Sequence, residues 1–155
     1  MTDGLVIRPD DPTGDHVAEL LAFHLAELRG VMGPEFAFAL DAAGLSSPAV
    51  TFWTAWQGET LAGFAALKRL DEAAAELKSM RAAPAARRTG VGRALLSHVV
   101  GVARSRGYRH LYLETGTAET HAPALALYRS AGFVDCAPFA DYQPSPHNQF
   151  MMLTL

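Results

Sequence analysis

The sequence predicts a mixed α/β fold, one sheet with helices on both faces, on three observations. Short apolar runs rich in β-branched and aromatic residues recur along the chain, longer segments between them carry apolar residues at helical spacing, and glycine, proline and serine mark the joins. Read in order these segments give β, α, α, three strands, α, β, α, β, β, a pattern that a mixed sheet covered on both sides buries naturally.

Each element has its own warrant. GLVIR at 4 to 8 is a β-type run stopped by Pro9. Asp15 is placed to cap a helix in which Val17, Leu20, Leu21, His24, Leu25 and Leu28 recur at helical spacing, with Gly30, Gly33 and Pro34 ending it. Residues 33 to 49 read as a short helix about Phe36 to Leu40 and then the loop GLSSP, an irregular stretch suited to a substrate-facing lid. Three strands follow: Val50 to Trp56, Leu61 to Leu70 after a turn at Gln57 and Gly58, and Ala74 to Ala82, the last so rich in alanine that propensity alone would make it a helix. A helix is expected from Gly90 to Arg106, with Val91, Ala94, Leu95, Val99, Val102 and Ala103 on one stripe and Gly107 ending it. HLYLET at 110 to 115 is a strand, 122 to 131 a helix ending at Gly132, and Phe133 to Cys136 and Phe150 to Leu155 are the last apolar runs.

Composition narrows the function classes. The chain has 155 residues, 50% hydrophobic and 19% charged, with 13 Lys+Arg against 16 Asp+Glu and a net charge of −3. Apolar content of this order fills the core of one domain without disulfides. Cys136 is the single cysteine, so no intrachain disulfide and no Cys-based zinc pattern is available, and the six histidines lack metal-ligand spacing. The expectation is no metal, a reducing compartment, and a soluble, cytoplasmic protein, since no apolar run approaches the ~18 residues of a membrane span. The acidic balance argues against a nucleic-acid partner. One local cluster departs from it: Arg81, Arg87, Arg88 and Arg93 fall within thirteen residues.

That cluster surrounds Arg87-Arg88-Thr89-Gly90-Val91-Gly92-Arg93, which follows Pro84 and opens the long helix. A helix start offers unpaired N–H groups and the positive end of the dipole. Gly90 and Gly92, lacking a β-carbon, let an anion approach the backbone, and the arginines add charge-assisted bonds to phosphate. The expected ligand is a di- or polyphosphate; the plainer alternative is a tight turn with a solvated arginine face. The loop is not a Walker A, having no Gly-Lys-Ser/Thr, nor a dinucleotide fingerprint, since Leu95 stands where a third glycine belongs.

These residues resemble the GNAT superfamily of acetyl-CoA-dependent N-acetyltransferases, whose pyrophosphate loop has the form Arg/Gln-x-x-Gly-x-Gly/Ala. Arg87, Gly90 and Gly92 match it, ELKSMRAAP matches the strand-and-proline lead-in, and HAPALALYRSAGF at 121 to 133 resembles the second signature, Asn-x-x-Ala-x-x-Leu-Tyr-x-x-x-Gly-Phe. LKSMR, LETG and PFADY look like the YsnE-like branch. The resemblance covers the whole chain and implies one N-acetyltransferase domain over 1–155. The implied fold is a mixed, mostly antiparallel seven-stranded sheet with helices on both faces, and acetyl-CoA is the implied acetyl donor.

Acetyl transfer from a thioester to an amine needs a seat for the donor, a neutral amine, stabilisation of an oxyanion and a proton for the leaving thiolate. The resemblance implies a seat on the N–H groups of Arg88, Thr89, Gly90, Val91, Gly92 and Arg93. The pantetheine arm then runs along Leu77 to Ala82, pairs with Met80 and Ala82, and receives an N–H from Met80 or Arg81 at the thioester oxygen. An alkyl amine of pKa near ~10 needs a base or a water chain. Glu76 on the cofactor-facing strand is the first candidate and Glu114 on the neighbouring strand the second, each having an ordinary structural ion pair as its alternative. Tyr128, in the Leu-Tyr-x-x-x-Gly-Phe setting, is the expected proton donor to the thiolate, with a core tyrosine as the alternative. His121 departs from the pattern, standing where the family carries an asparagine that holds the cofactor.

Trp53, Trp56, Phe36 and Phe38 are candidates for an acceptor pocket or, more simply, for the core. His147 and Tyr142 lie in the last loop, within range of substrate, while His16, His24, His98 and His110 read as surface or helix-face residues. The expected function is transfer of acetyl to a small-molecule amine through a ternary complex. Competing readings are a peptide or protein acceptor, a non-catalytic acyl-CoA-binding module of the same fold, and a generic nucleotide-binding domain. The sequence leaves the oligomeric state open, a homodimer pairing through the C-terminal strand being one arrangement that the resemblance allows.

Overall fold

Seven strands form one sheet in the order β1-β2-β3-β4-β5-β7-β6. In the computed structural model, which describes residues 4–32, 42–86, 89–117 and 121–155, these are β1 (Leu5–Pro9), β2 (Val50–Gln57), β3 (Thr60–Arg69), β4 (Ala74–Ala82), β5 (His110–Gly116), β6 (Val134–Asp135) and β7 (Asn148–Thr154). The helices are α1 (Asp15–Met32), α2 (Ala42–Leu45), α3 (Val91–Ser105) and α4 (Ala122–Ser130). Every neighbouring pair is antiparallel except β4 with β5. β1 is an edge strand, which is where a proline such as Pro9 at its end costs no ladder bond.

Alternation along the strands divides two cores. Trp53, Ala55, Ala65, Leu67, Ala75, Leu77, Leu111, Leu113, Met151 and Leu153 turn to one face, where they pack against Val91, Leu95, Leu96, Val99, Val100 and Ala103 of α3 and Tyr128 of α4. Phe52, Phe64 and Ala66 turn to the other, against Val17, Leu20 and Leu21 of α1 and Leu45 of α2. Burying a leucine-sized side chain is worth about 1.5–3 kcal/mol, so the α3 stripe alone holds that helix on the sheet. The alanine-rich β4 is a strand because Ala74 and Ala75 are buried under neighbours.

Some local expectations shift. α1 runs through Gly30 to Met32; one glycine costs a helix only ~1 kcal/mol, too little to end it where the chain is otherwise held. The short helix expected at Phe36 to Leu40 lies outside the described residues, and α2 begins beyond it, taking in Gly44 of the expected loop. In α3 the buried stripe includes Leu96 and Val100, with Ala94 and Val102 at its margin. His24, expected at a surface or helix face, is buried with its ring edge-on to Phe64 at 5.5 Å. Among the described residues no helix is long and apolar enough to cross a membrane.

Candidate active site

The sheet opens between its two parallel strands. Pairing of β4 with β5 runs only from Ala74–His110 to Leu77–Leu113, although β4 continues to Ala82 and β5 to Gly116. The opening begins at an irregularity: Ala66 pairs with Ser79 and Leu67 with Leu77, so Lys78 is an extra residue, and such a bulge bends and twists its strand. Beyond it, Ala83 N–H donates to the Ala62 carbonyl at 2.7 Å. Because strand residues alternate the direction of their polar backbone groups, this bond sets the phase. Arg81 turns its backbone groups to β3, while Met80 and Ala82 turn theirs into the opening.

Gly63 permits the close fit of β3 at this point. A β-carbon there would lie 2.4 Å from the Arg81 carbonyl oxygen.

At the far end of β4 the chain makes a short 3₁₀ turn over Pro84–Ala86 and enters α3. Gly90 caps the helix with φ 91°, a left-handed conformation that favours glycine. Ala94 N–H donates to the Gly90 carbonyl at 3.0 Å. The N–H groups of Val91, Gly92 and Arg93 therefore precede the first intrahelical bond and have no acceptor within the helix. Thr89 is turned inward: its N–H donates to the Ala86 carbonyl at 3.3 Å and its hydroxyl donates to the same oxygen. Arg93 is exposed, and the Arg81 guanidinium lies 5.0 Å over the Phe23 ring. Arg87 and Arg88 lie outside the described residues, as do Phe36 and Phe38.

The charged groups gather on the sheet face opposite α3, where the 136–147 loop crosses. Tyr142 Oη donates to Glu76 Oε2 at 2.6 Å, Lys78 Nζ donates to Tyr142 Oη, and Lys78 Nζ stands 3.5 Å from Glu76 Oε2. Glu76 is 2% exposed. The loop is pinned by aromatic packing: the Phe139 ring centroid is 5.0 Å from Tyr112, 5.1 Å from Tyr142 and 5.8 Å from Phe150. Glu114 faces the same cluster, and burial pushes its carboxyl up to about 7, with Glu76 adding to the rise while Lys78 and a hydrogen bond with Asn148 oppose it. Glu114 Oε2 and Ser79 Oγ are buried without a hydrogen-bond partner among the described residues.

Tyr128 belongs to the opposite core, packed on Phe133 at 5.9 Å. Burial, and secondarily the Glu114 charge, lift its hydroxyl to about 12, so it is a proton-bearing phenol at neutral pH. Glu76 thus lies one residue before the last paired position of β4 and Glu114 one residue past the last paired position of β5, Met80 and Ala82 belong to the stretch of β4 beyond the pairing, and the Glu114 charge reaches the Tyr128 hydroxyl from the other face.

Other candidates fall elsewhere. Trp53 is core, its ring edge-on to His98 at 5.0 Å. Trp56 sits by the β1 edge, with Arg8 over its ring at 4.6 Å and its Nε1 donating to Thr54 at 2.8 Å. β3 separates β2 from the opening. The Cys136 thiol is pushed up by burial and by Asp135, which opposes thiolate formation. Lys78, Asn148 and Ser79 entered no expectation; the one available signal was Glu76-x-Lys78, a carboxylate and an ammonium on one face of a strand.

An extended acyl-CoA fits this arrangement. Beyond Leu77 the β4 edge has no β5 partner among the described residues, which suits a peptide-like arm, and the first N–H groups of α3 have no acceptor within the helix, which suits an anion. The sequence profile of the Acetyltransferase (GNAT) family matches residues 17–133. The N-acetyltransferase YedL of Escherichia coli K12 is 46% identical over 149 residues, spanning 96% of this chain and 94% of that protein. YsnE of Bacillus subtilis 168, also an N-acetyltransferase, is 44% identical over 145 residues, 94% of this chain and 96% of its own. The crystal structure of the ribosomal-protein-S18-alanine N-acetyltransferase from Escherichia coli superposes with a TM-score of 0.71 at 26% identity, covering 97% of this chain and 93% of that one.

Proposed function

The chain belongs to the acetyltransferase (GNAT) family and is an acetyl-CoA-dependent acyltransferase, and from that premise we propose that it transfers acetyl to an amine of a small molecule directly, with both substrates bound at once. The observation that carries this reading is the opening between β4 and β5, with a phenol on one side of the sheet and two carboxylates on the other.

Bound acetyl-CoA supplies an activated thioester whose C–S bond breaks as a C–N bond to the acceptor forms. In this reading Val91, Gly92 and Arg93 hold the pyrophosphate through their N–H groups, with Arg87 and Arg88 adding charge. Met80 and Ala82 align the pantetheine arm, and the Met80 N–H is directed at the thioester oxygen as charge develops there. One of the carboxylates Glu76 and Glu114 removes the proton from the acceptor ammonium. Tyr128 protonates the departing sulfur and is reprotonated by the second proton that nitrogen loses as the amide forms, so that of the two protons leaving the ammonium one ends on the thiol and the other leaves through the carboxylate. His121, beside the end of β5, takes the place of the family's asparagine at the cofactor.

The test is a thermal shift with acetyl-CoA, CoA and ADP, followed by release of free thiol across a panel of amines, amino acids and peptides. Stabilisation by both CoA species and thiol release with small amines are expected. No stabilisation by either CoA species overturns the cofactor seat, and release with peptides alone overturns the small-molecule acceptor.

A further inference from the structure

We propose that Lys78 and Tyr142 are positioning residues that clamp Glu76, leaving Glu114 as the carboxylate that takes the proton from the acceptor amine. This rests on the acetyl-transfer reading above and adds a division of labour between the two carboxylates.

The two are treated unequally by their surroundings. Glu76 Oε2 accepts from Tyr142 Oη at 2.6 Å and faces Lys78 Nζ at 3.5 Å, so its charge is matched and its orientation fixed. The side chains of Lys78 and Glu76 are 8% and 3% exposed, and an ion pair so shielded is hard to break. Glu114 lies beside Asn148 and keeps Oε2 buried with no hydrogen-bond partner among the described residues. An incoming ammonium meets one oxygen already engaged and one that lacks a donor. Two carboxyl groups whose environments differ in this way are suited to different roles in proton transfer.

Both clamp residues are where they are for reasons of fold. Lys78 is the bulged residue of β4, and the bulge directs it with Glu76 to the loop face. Tyr142 is carried by a loop anchored through Phe139 to Tyr112 and Phe150, and tied to β7 by Ser145 Oγ donating to Asn148 Oδ1 at 2.8 Å. Asn148 thus stands between the loop and Glu114. The groups facing Glu114 are Glu76 and Lys78 from β4, Tyr142 from the loop, Asn148 from β7 and Tyr128 from α4. Glu76 raises its proton affinity and Lys78 lowers it.

Those opposite signs give a test. The Glu114 carboxyl is titrated by ¹³C NMR in protein labelled at glutamate, with Glu114→Gln identifying the resonance. Glu76→Gln is expected to move its midpoint down and Lys78→Met to move it up, by at least half a pH unit each. Midpoints unmoved in both variants overturn the clamp, and this arm needs no acceptor and no turnover. Failure of every amine in the panel would therefore overturn the acetyl-transfer reading while the titration still decides the arrangement.

The second arm uses acetyl-CoA with the amine of the panel that releases thiol fastest. Glu114→Gln should lower kcat/KM for that amine by more than ~100-fold and abolish its acid limb, whereas Glu76→Gln should cost less than ~10-fold and shift the limb to lower pH. Tyr142→Phe keeps the ring packing and loses only the hydroxyl; a fall of about 10-fold in kcat/KM for the amine is expected, with KM for acetyl-CoA unchanged. Loss of turnover in Glu76→Gln beyond that in Glu114→Gln, or wild-type kinetics in Tyr142→Phe, overturns the proposal. Should Glu76→Gln fail to fold with Lys78 unpaired, the double variant Glu76→Gln/Lys78→Met answers the same question.

Discussion

The imidazole of His121 lies over the α-carbon of Gly116: a β-carbon built on Gly116 would stand 2.4 Å from Nε2. The ring is the far end of a side chain at the start of α4, so Gly116→Ala should displace it without disturbing β5. If His121 holds the cofactor in place of an asparagine, this variant and His121→Ala weaken CoA binding by about 3- to 10-fold, or up to ~1.4 kcal/mol. His121→Asn should restore it. Calorimetric titration with CoA checks this, and unchanged affinity in Gly116→Ala and His121→Ala removes His121 from the cofactor site.

Tyr128 is proton-bearing at neutral pH because burial and the Glu114 charge lift its hydroxyl to about 12. Tyr128→Phe should lower kcat by about 10²- to 10⁴-fold with CoA affinity nearly intact. A steady-state rate equal to wild type would show that the sulfur is protonated by another route.

Much of this was legible before the structure because it is local. The α3 stripe, the glycine at its start and the alternating strands are patterns of adjacent residues, and short-range sterics and burial decide them. β4 was legible despite its alanines because Leu77 and Met80 lie in a segment flanked by strands. The division of the site was not legible. Tyr142 meets Glu76 across 66 residues, and that contact depends on the register of β7 and on where Phe139 packs. The bulge at Lys78 is a relation between β3 and β4, which neither strand's own residues encode. Trp56 carries the same lesson in reverse: an aromatic suited to a pocket lies two strands from it.

Gly63 faces the Arg81 carbonyl oxygen at 2.4 Å and Ala82 Cα at 3.3 Å from its virtual β-carbon, both backbone atoms of the free end of β4. Gly63→Ala must push that edge away. A loss of about 1–3 kcal/mol is expected from overpacking, a fall of several degrees in Tm for a domain this size. Because Met80 and Ala82 move with the edge, acetyl-CoA affinity should drop as well. Differential scanning calorimetry with and without acetyl-CoA measures both, and a variant with wild-type Tm and affinity would show that β4 yields there without consequence.

The Glu114 carboxyl also sets a pH dependence of stability whose sign follows from its shift. Burial first, and Glu76 second, raise it in the folded chain from 4.5 to about 7. Between those values the folded state binds the proton and the unfolded state has released it, so stability falls as pH rises through the window and levels off above it. A shift of this size is worth about 3 kcal/mol in all, of which about 2–3 kcal/mol falls between pH 5 and pH 8. Glu114→Gln has no proton to lose, so relative to wild type it should gain stability by about that amount between pH 5 and pH 8. Urea unfolding at the two pH values measures the difference, and a gap between variant and wild type that does not change with pH would mean that Glu114 is solvated and titrates as an ordinary carboxylate.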